Sequence, residues 1–295
     1  MSKYTWALIA ATLVSIIYGV TFTIAKDVMP EHILPYGFIA LRVGGSTLLF
    51  WLVWAMLPKQ KILSEDYWRV VACAFFGVAF NMLTFFKGLS LTSPISAAVL
   101  MVTTPIIVLL LSAILIREKL QARKVGGILL GLAGTVMLIY YGRSSGNAPD
   151  PFLGNFLVFV NAASYGLYLI LVKKLMDRYH AFSFVNWIYL IGFLMVLPFG
   201  WPELESVNWQ GFNTSVWLKT GFVVVFSTFL TYLLNLLSMK SLRPVTVAVF
   251  IYLQPLFAAI FSIGLGKDSL NLIKVASALM IFSGVYLVIR PGAKT

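Results

Sequence analysis

A chain of 295 residues that is 60% hydrophobic and only 11% charged has too little polar surface to wet a globule of its size, since a soluble domain carries roughly 25% charged residues. Lipid is therefore the solvent for most of its surface. The formal net charge of +12 does not mark a nucleic-acid binder, because the basic residues cluster at the ends of apolar runs, as they do in membrane proteins.

Roughly 20 apolar residues cross the hydrocarbon core as a helix, and runs of that length recur along the chain. The alternating strands of an outer-membrane barrel, about ten residues each, are not found. The first run, 4–25, follows a short basic start, but no A-x-A-like site closes it, so it is expected to stay as a span. The second, 33–57, carries Arg42 about a third of the way in, beside Gly44 and Gly45. The third, 68–90, holds Asn81 and the single Cys73, which excludes an intramolecular disulfide. The fourth, 94–116, has Pro105 near its centre after Thr103 and Thr104, and the fifth, 123–141, shows Gly127, Gly131 and Gly134. Those glycines fit a dimer seam or packing of the fifth span on the tenth.

The segment 143–151 reads as a linker. Five further runs follow at 152–174, 183–200, 217–239, 244–265 and 270–290, with a tail at 291–295. The expected fold is an all-α integral membrane protein of ten transmembrane helices. They form two inverted five-helix repeats, 1–142 and 152–290, around a central cavity.

Sliding the sequence on itself by 150 positions carries the repeat. Pro94 meets Pro244, Ala98 meets Ala248, Pro105 meets Pro255, Ser112 meets Ser262, Glu118 meets Asp268 and Gly134 meets Gly284. A slip of 147 pairs Tyr18–Gly19 with Tyr165–Gly166 and Lys26 with Lys173. Five spans per half is an odd number, so the second half enters the membrane the other way up. With the N-terminus inside, 15 of the 22 basic residues fall on the inner side and six on the outer, Arg42 lying within a span. Both termini are expected to be cytoplasmic and the membrane to be the cell membrane. Inverted repeats place a site near the midplane and let it face each side in turn.

The chain resembles the EamA-type branch of the drug/metabolite transporter superfamily over essentially its whole length. The first half carries "YGVTFTIAK", "IALRVGG", "FFKGLSLTSPISAAVLMVTTPIIVLLLSAILIREKL" and "GGILLGLAGTVML". The second carries "SYGLYLILVKK", "LNLLSMKSLRPVTVAVFIYLQPLF" and "ASALMIFSGVYLVI". Tyr18 stands where the family often has Trp, and Asp268 where Glu is usual. The resemblance implies a ten-helix carrier of small metabolites, often amino acids or other amphipathic solutes, commonly exporting them.

Arg42 is the sharpest candidate, because a charge at the centre of a spanning helix costs about 2.5–3.5 kcal/mol on insertion scales. It reads either as an anion-binding or gating charge, neutralised by Asp27 or Glu31 when the site is empty, or as a structural cation. Tyr18, Tyr165, Trp187, Tyr232 and Tyr252 lie near mid-span, where they stack on a solute or simply pack. Asn81, Thr104 and Gln254 complete the expected cavity, with Pro105 and Pro255 kinking two equivalent helices that line it. The competing reading has those threonines bonded back to their own helix. No Asp or Glu lies deep in a span, so no buried carboxylate relay is evident. No catalytic residue, cofactor or metal ion is expected, and an enzyme is not. The partners are the bilayer and a small-molecule substrate, with monomer and dimer both open. The reading is a secondary-type transporter, exporter or exchanger, of a small amphipathic metabolite by alternating access; the alternatives are anionic or phosphorylated metabolites, or a pore.

Overall fold

The structure, a computed structural model, describes residues 2–29, 31–57, 60–92, 97, 100–118, 121–141, 150–264 and 272–290. Among them every regular element is helical. Pro94, Asp268, the tail and most of the linker lie outside these residues, as does part of the expected fourth span.

Several helices open where the sequence supplies a cap or a proline. Helix α1 (Lys3–Lys26) starts at Ser2, whose hydroxyl accepts from the Thr5 N–H at 3.1 Å. Pro35 occupies the first turn of α2 (Pro35–Ala55), where its missing N–H costs nothing. Helix α3 (Tyr67–Ala74) widens into a π turn at Phe75–Ala79 before continuing as α4 (Phe80–Leu91). Helices α5 (Thr104–Leu115) and α6 (Ala122–Tyr141) complete the first half. Asp150 caps α7 (Pro151–Arg178) by accepting from Leu153 N–H at 3.1 Å.

Helix α8 (Val185–Glu205) runs five residues past its expected end, through Pro198 and Pro202. Its last turn is tied down by Glu203, whose Oε2 accepts from the Gly37 N–H at 2.8 Å. Asn213 caps α9 (Thr214–Val224), which passes through a second π turn, Val225–Leu230, into α10 (Thr231–Met239). The two π turns begin 150 residues apart. Helix α11 (Pro244–Val249) tightens into a 3-10 turn at Phe250–Tyr252 and resumes as α12 (Leu253–Gly264), and α13 (Leu272–Ile289) closes the chain. The break ahead of Pro255 has a counterpart at Val102–Thr103, ahead of Pro105.

Among the described residues eight helical stretches are long and apolar enough to cross a membrane, and Thr104–Leu115 is a shorter apolar helix. Large apolar side chains point outward on all sides, among them Leu48, Leu52, Ile114, Phe152 and Leu218. Water would not tolerate so much contiguous apolar surface, and lipid does. The protein is an integral membrane protein.

Contacts run mainly between α6 and α13, α2 and α8, α4 and α7, α1 and both α10 and α12, α5 and α7, and α5 and α11. The glycines set the closest of these. A Cβ on Gly127 would sit 2.8 Å from the Gly284 carbonyl, and one on Gly284 would sit 2.6 Å from both the Gly127 carbonyl and the Gly131 nitrogen. The G-x-x-x-G of the fifth span is thus occupied within the chain, against α13.

Loop contacts divide into two faces. On one, Asp66, 1% exposed, accepts from Arg69, from Arg178 at 2.9 Å and from the Tyr179 hydroxyl at 2.8 Å. On the same face Glu118 meets Lys124 at 2.7 Å and Arg243 at 3.1 Å, and the Arg123 guanidinium donates to the Arg290 carbonyl. Arg117, with φ of 52°, turns the chain out of α5 so that Glu118 reaches these partners. On the other face Lys219 pairs with Asp27 at 2.7 Å, and Asp150 N–H donates to the Leu91 carbonyl.

Candidate functional site

Tyr18 of α1, Arg42 of α2, Asn81 and Met82 of α4, Tyr165 and Tyr168 of α7, Tyr189 of α8, and Tyr232 and Asn235 of α10 converge on one cavity. The two π turns complete it, with Gly77 from the first and Ser227 and Thr228 from the second. The cavity measures about 50 Å³, and a water needs on the order of 10–15 Å³. It therefore holds a few waters, and a metabolite needs the helices to part.

The π turns explain why polar groups gather here. One extra residue in the turn spoils the regular i→i+4 ladder and frees carbonyls for other donors. Ser164 Oγ donates to the Phe76 carbonyl at 2.8 Å across to α7. Ser46 Oγ donates to the Val224 carbonyl at 3.0 Å, and Thr231 Oγ1 to the Ser227 carbonyl at 2.7 Å. Gly77 has a separate reason: a Cβ there would lie 2.3 Å from the Tyr168 ring, so only glycine lets that ring lie flat on the turn.

Arg42 is 8% exposed. Its Nε donates to Thr228 Oγ1 at 3.0 Å, its Nη2 donates to the Ser227 carbonyl at 3.4 Å, and the Phe86 ring lies 5.8 Å from its Cζ. These bonds use two of the five N–H groups of the guanidinium. No carboxylate belongs to the cavity wall, and of the two expected neutralising groups, Asp27 and Glu31, Asp27 is engaged by Lys219 instead. Asp27 lies beyond α1 at the membrane edge, whereas Arg42 is two turns inside α2.

The remaining wall is aromatic. Tyr189 and Tyr232 meet edge-on at 4.7 Å, Tyr168 and Tyr232 lie 5.5 Å apart, and Tyr165 lies 5.9 Å from Tyr168. Phe50 backs Tyr189 at 4.7 Å and fixes it from behind. The buried hydroxyls of Tyr189 and Ser227 have no hydrogen-bond partner among the described residues. Such groups cost about 1–3 kcal/mol each when left dry, so the cavity is built for polar contents. Asn81 and Asn161 hold α4 to α7 by each donating to the other's backbone carbonyl, at 3.4 and 2.6 Å.

Five of the nine expected cavity residues are brought together: Tyr18, Arg42, Asn81, Tyr165 and Tyr232. Four are not. Trp187 is 41% exposed and stacks edge-on against Trp51 on the outer surface of α2 and α8. The Tyr252 ring packs over Gly131, where a Cβ would come within 2.5 Å of it. Thr104 is buried with its hydroxyl donating to the Met101 carbonyl at 2.6 Å, and Thr103 does the same to Leu100. The Gln254 carbonyl lies against Gly19 of α1. Pro105 therefore follows a break whose nearby hydroxyls are spent on their own helix. Sequence reading missed Gly77, Met82, Tyr168, Tyr189, Ser227 and Thr228. Tyr168 carried a signal, since it lies one turn from Tyr165 on the same helix face.

The EamA-like transporter family model matches residues 5–140 and again 152–290. The chain belongs to that family. An uncharacterized transporter of Archaeoglobus fulgidus is 25% identical over 97% of this chain and 98% of its own. The Bacillus subtilis uncharacterized transporter YetK is 23% identical over 77% of this chain and 69% of its own, and a WAT1-related protein of Arabidopsis thaliana is 22% identical over 90% and 74%. A crystal structure superposes with a TM-score of 0.78 over 97% of this chain and 98% of its own. At 16% identity that likeness speaks for the fold alone. The EamA chain is thus a membrane transporter.

Proposed function

We propose that this EamA-family protein is a secondary-type carrier that exports or exchanges a small amphipathic metabolite bearing one carboxylate, such as an amino acid, by alternating access. The observation that carries the reading is Arg42: a guanidinium buried at membrane depth, in a wall with no acidic partner and with unpartnered hydroxyls around it. A lone buried charge is costly, and a substrate carboxylate held by a bidentate fork offsets that cost. Phosphorylated solutes carry two or more negative charges, and Arg42 is the one cation among the lining residues.

Ten spans in two inverted halves support the alternation. Exchanging the halves maps the helix contacts onto themselves: α6 with α13 and α2 with α8 are self-paired, α4 with α7 corresponds to α10 with α1, and α5 with α7 to α12 with α1. The π turns and the breaks ahead of Pro105 and Pro255 obey the same 150-residue offset. The loop contacts sort into two faces without mixing. The face of Asp66, Glu118, Arg178 and Arg243 is rich in basic residues, which makes it the cytoplasmic one, with both termini there, in a cell membrane.

Proteoliposomes loaded with a mixed metabolite panel test the proposal by mass spectrometry of what escapes. The wild type is expected to release one carboxylate-bearing class, and Arg42→Ala to release little of it. Equal release by both forms would remove Arg42 from the mechanism and with it the substrate class.

A further inference from the structure

We propose that Thr228 is a positioning residue for Arg42, and that the π turn Val225–Leu230 aims the guanidinium at a bound carboxylate. The inference rests on the carboxylate reading above. In a regular helix a threonine hydroxyl reaches a carbonyl three or four residues back. Here the widened turn lets Thr228 Oγ1 donate to the Val223 carbonyl, five residues back, at 2.8 Å. That bond consumes the single proton of the hydroxyl. The oxygen can then only accept, and Arg42 Nε–H donates to it at 3.0 Å.

The second anchor comes from the adjacent residue of the same turn, the Ser227 carbonyl, at 3.4 Å from Nη2. This carbonyl is also held by Thr231 Oγ1 at 2.7 Å, so it stays in place whether or not Arg42 is bound to it. A guanidinium is planar and rigid. Holding its Nε–Nη2 edge therefore sets the whole plane and leaves the terminal Nη1–Nη2 fork for the carboxylate. A long, flexible side chain otherwise needs to be ordered afresh each time a substrate arrives. Thr228 is 2% exposed, and its hydroxyl is committed to Val223 and Arg42.

The test uses full-length protein in proteoliposomes, efflux of a radiolabelled mixture of L-amino acids, and the variants Thr228→Val, Thr228→Ser and Arg42→Lys, each first shown to be monodisperse in detergent. Thr228→Val keeps the shape and removes the hydroxyl; its half-saturating concentration is expected to rise roughly tenfold with the maximal rate changed by less than about threefold. Thr228→Ser restores the acceptor and should stay within about twofold of wild type. Lysine has no Nε to place, so adding Thr228→Val to Arg42→Lys should cost almost nothing further.

A second readout needs no substrate: phenylglyoxal modification of Arg42, followed by peptide mass spectrometry. Freed from its anchor, Arg42 in Thr228→Val is expected to react at least about threefold faster than in wild type or Thr228→Ser, as a loss of one charge-assisted bond implies. Equal damage from the valine and serine variants, independent effects of Thr228→Val and Arg42→Lys, or identical phenylglyoxal rates would overturn the proposal. Should the wild type move no labelled amino acid while the phenylglyoxal rates still differ as expected, the substrate class has failed and the positioning role stands.

Discussion

Arg42→Met is expected to fold at least as stably as the wild type while losing transport by roughly thirtyfold or more. Both halves of that expectation follow from where Arg42 sits. Its guanidinium is buried with no acidic partner in the cavity wall, and replacing even a buried ion pair by apolar side chains of similar volume is often neutral or stabilising by about 1–4 kcal/mol. Nothing is orphaned by the change. Thr228 keeps its bond to Val223, and the Ser227 carbonyl keeps Thr231. The carboxylate, by contrast, loses charge-assisted hydrogen bonds worth about 1.5–3 kcal/mol each, and 1.36 kcal/mol is tenfold in rate. Thermal unfolding in detergent beside efflux in proteoliposomes measures the two effects. A variant that fails to fold would instead make Arg42 a structural cation.

The second large effect belongs to the α6–α13 seam. Gly284→Leu is expected to destabilise the protein by about 3 kcal/mol or more, at the upper end of what overpacking costs. The reason is that the clashing atoms are backbone: the Gly127 carbonyl and Gly131 nitrogen at 2.6 Å and the Gly131 Cα at 2.8 Å from the first added carbon. A flexible side chain can swing away from such a contact, but two helix backbones must separate along their length. Gly126 has nothing within 4 Å of its added carbon, so Gly126→Ala should be neutral or stabilising by up to about 1 kcal/mol. The comparison is read from the loss of monodisperse protein on heating. A tolerated Gly284→Leu would mean the two helices are not in contact in the membrane.

Membrane insertion and the helical class were readable because they depend on run length and composition alone. Arg42 was readable because a charge in an apolar run stands out whatever the helix does next. Which face of a helix turns inward was harder. Helix α8 is apolar all round, so no polar stripe marks its inner side, and Trp187 was chosen where Tyr189, two residues on, faces the cavity. The π turns were not legible at all. An extra residue in a turn rotates everything after it by about 100°, so the cavity face of α4 and α10 cannot be projected from α3 and α9. That is why Gly77, Ser227 and Thr228 escaped notice. The prolines misled in a different way. Pro105 and Pro255 do follow broken helices, yet the freed carbonyl of Met101 is taken by Thr104, a local repair that removes the need for a wet cavity beside it.

Sided accessibility of the cavity tests the account most directly. Cys73 is buried, so Asn235→Cys in a Cys73→Ser background places a single thiol in the cavity wall. Reaction with a membrane-impermeant thiol reagent is then followed separately from each side of oriented vesicles, with and without the solute released in the efflux assay. An alternating carrier predicts labelling from both sides, with the solute raising one rate as it lowers the other. Labelling from both sides that ignores the solute would describe a pore, and a thiol silent from either side would show that this cavity is not on the transport path.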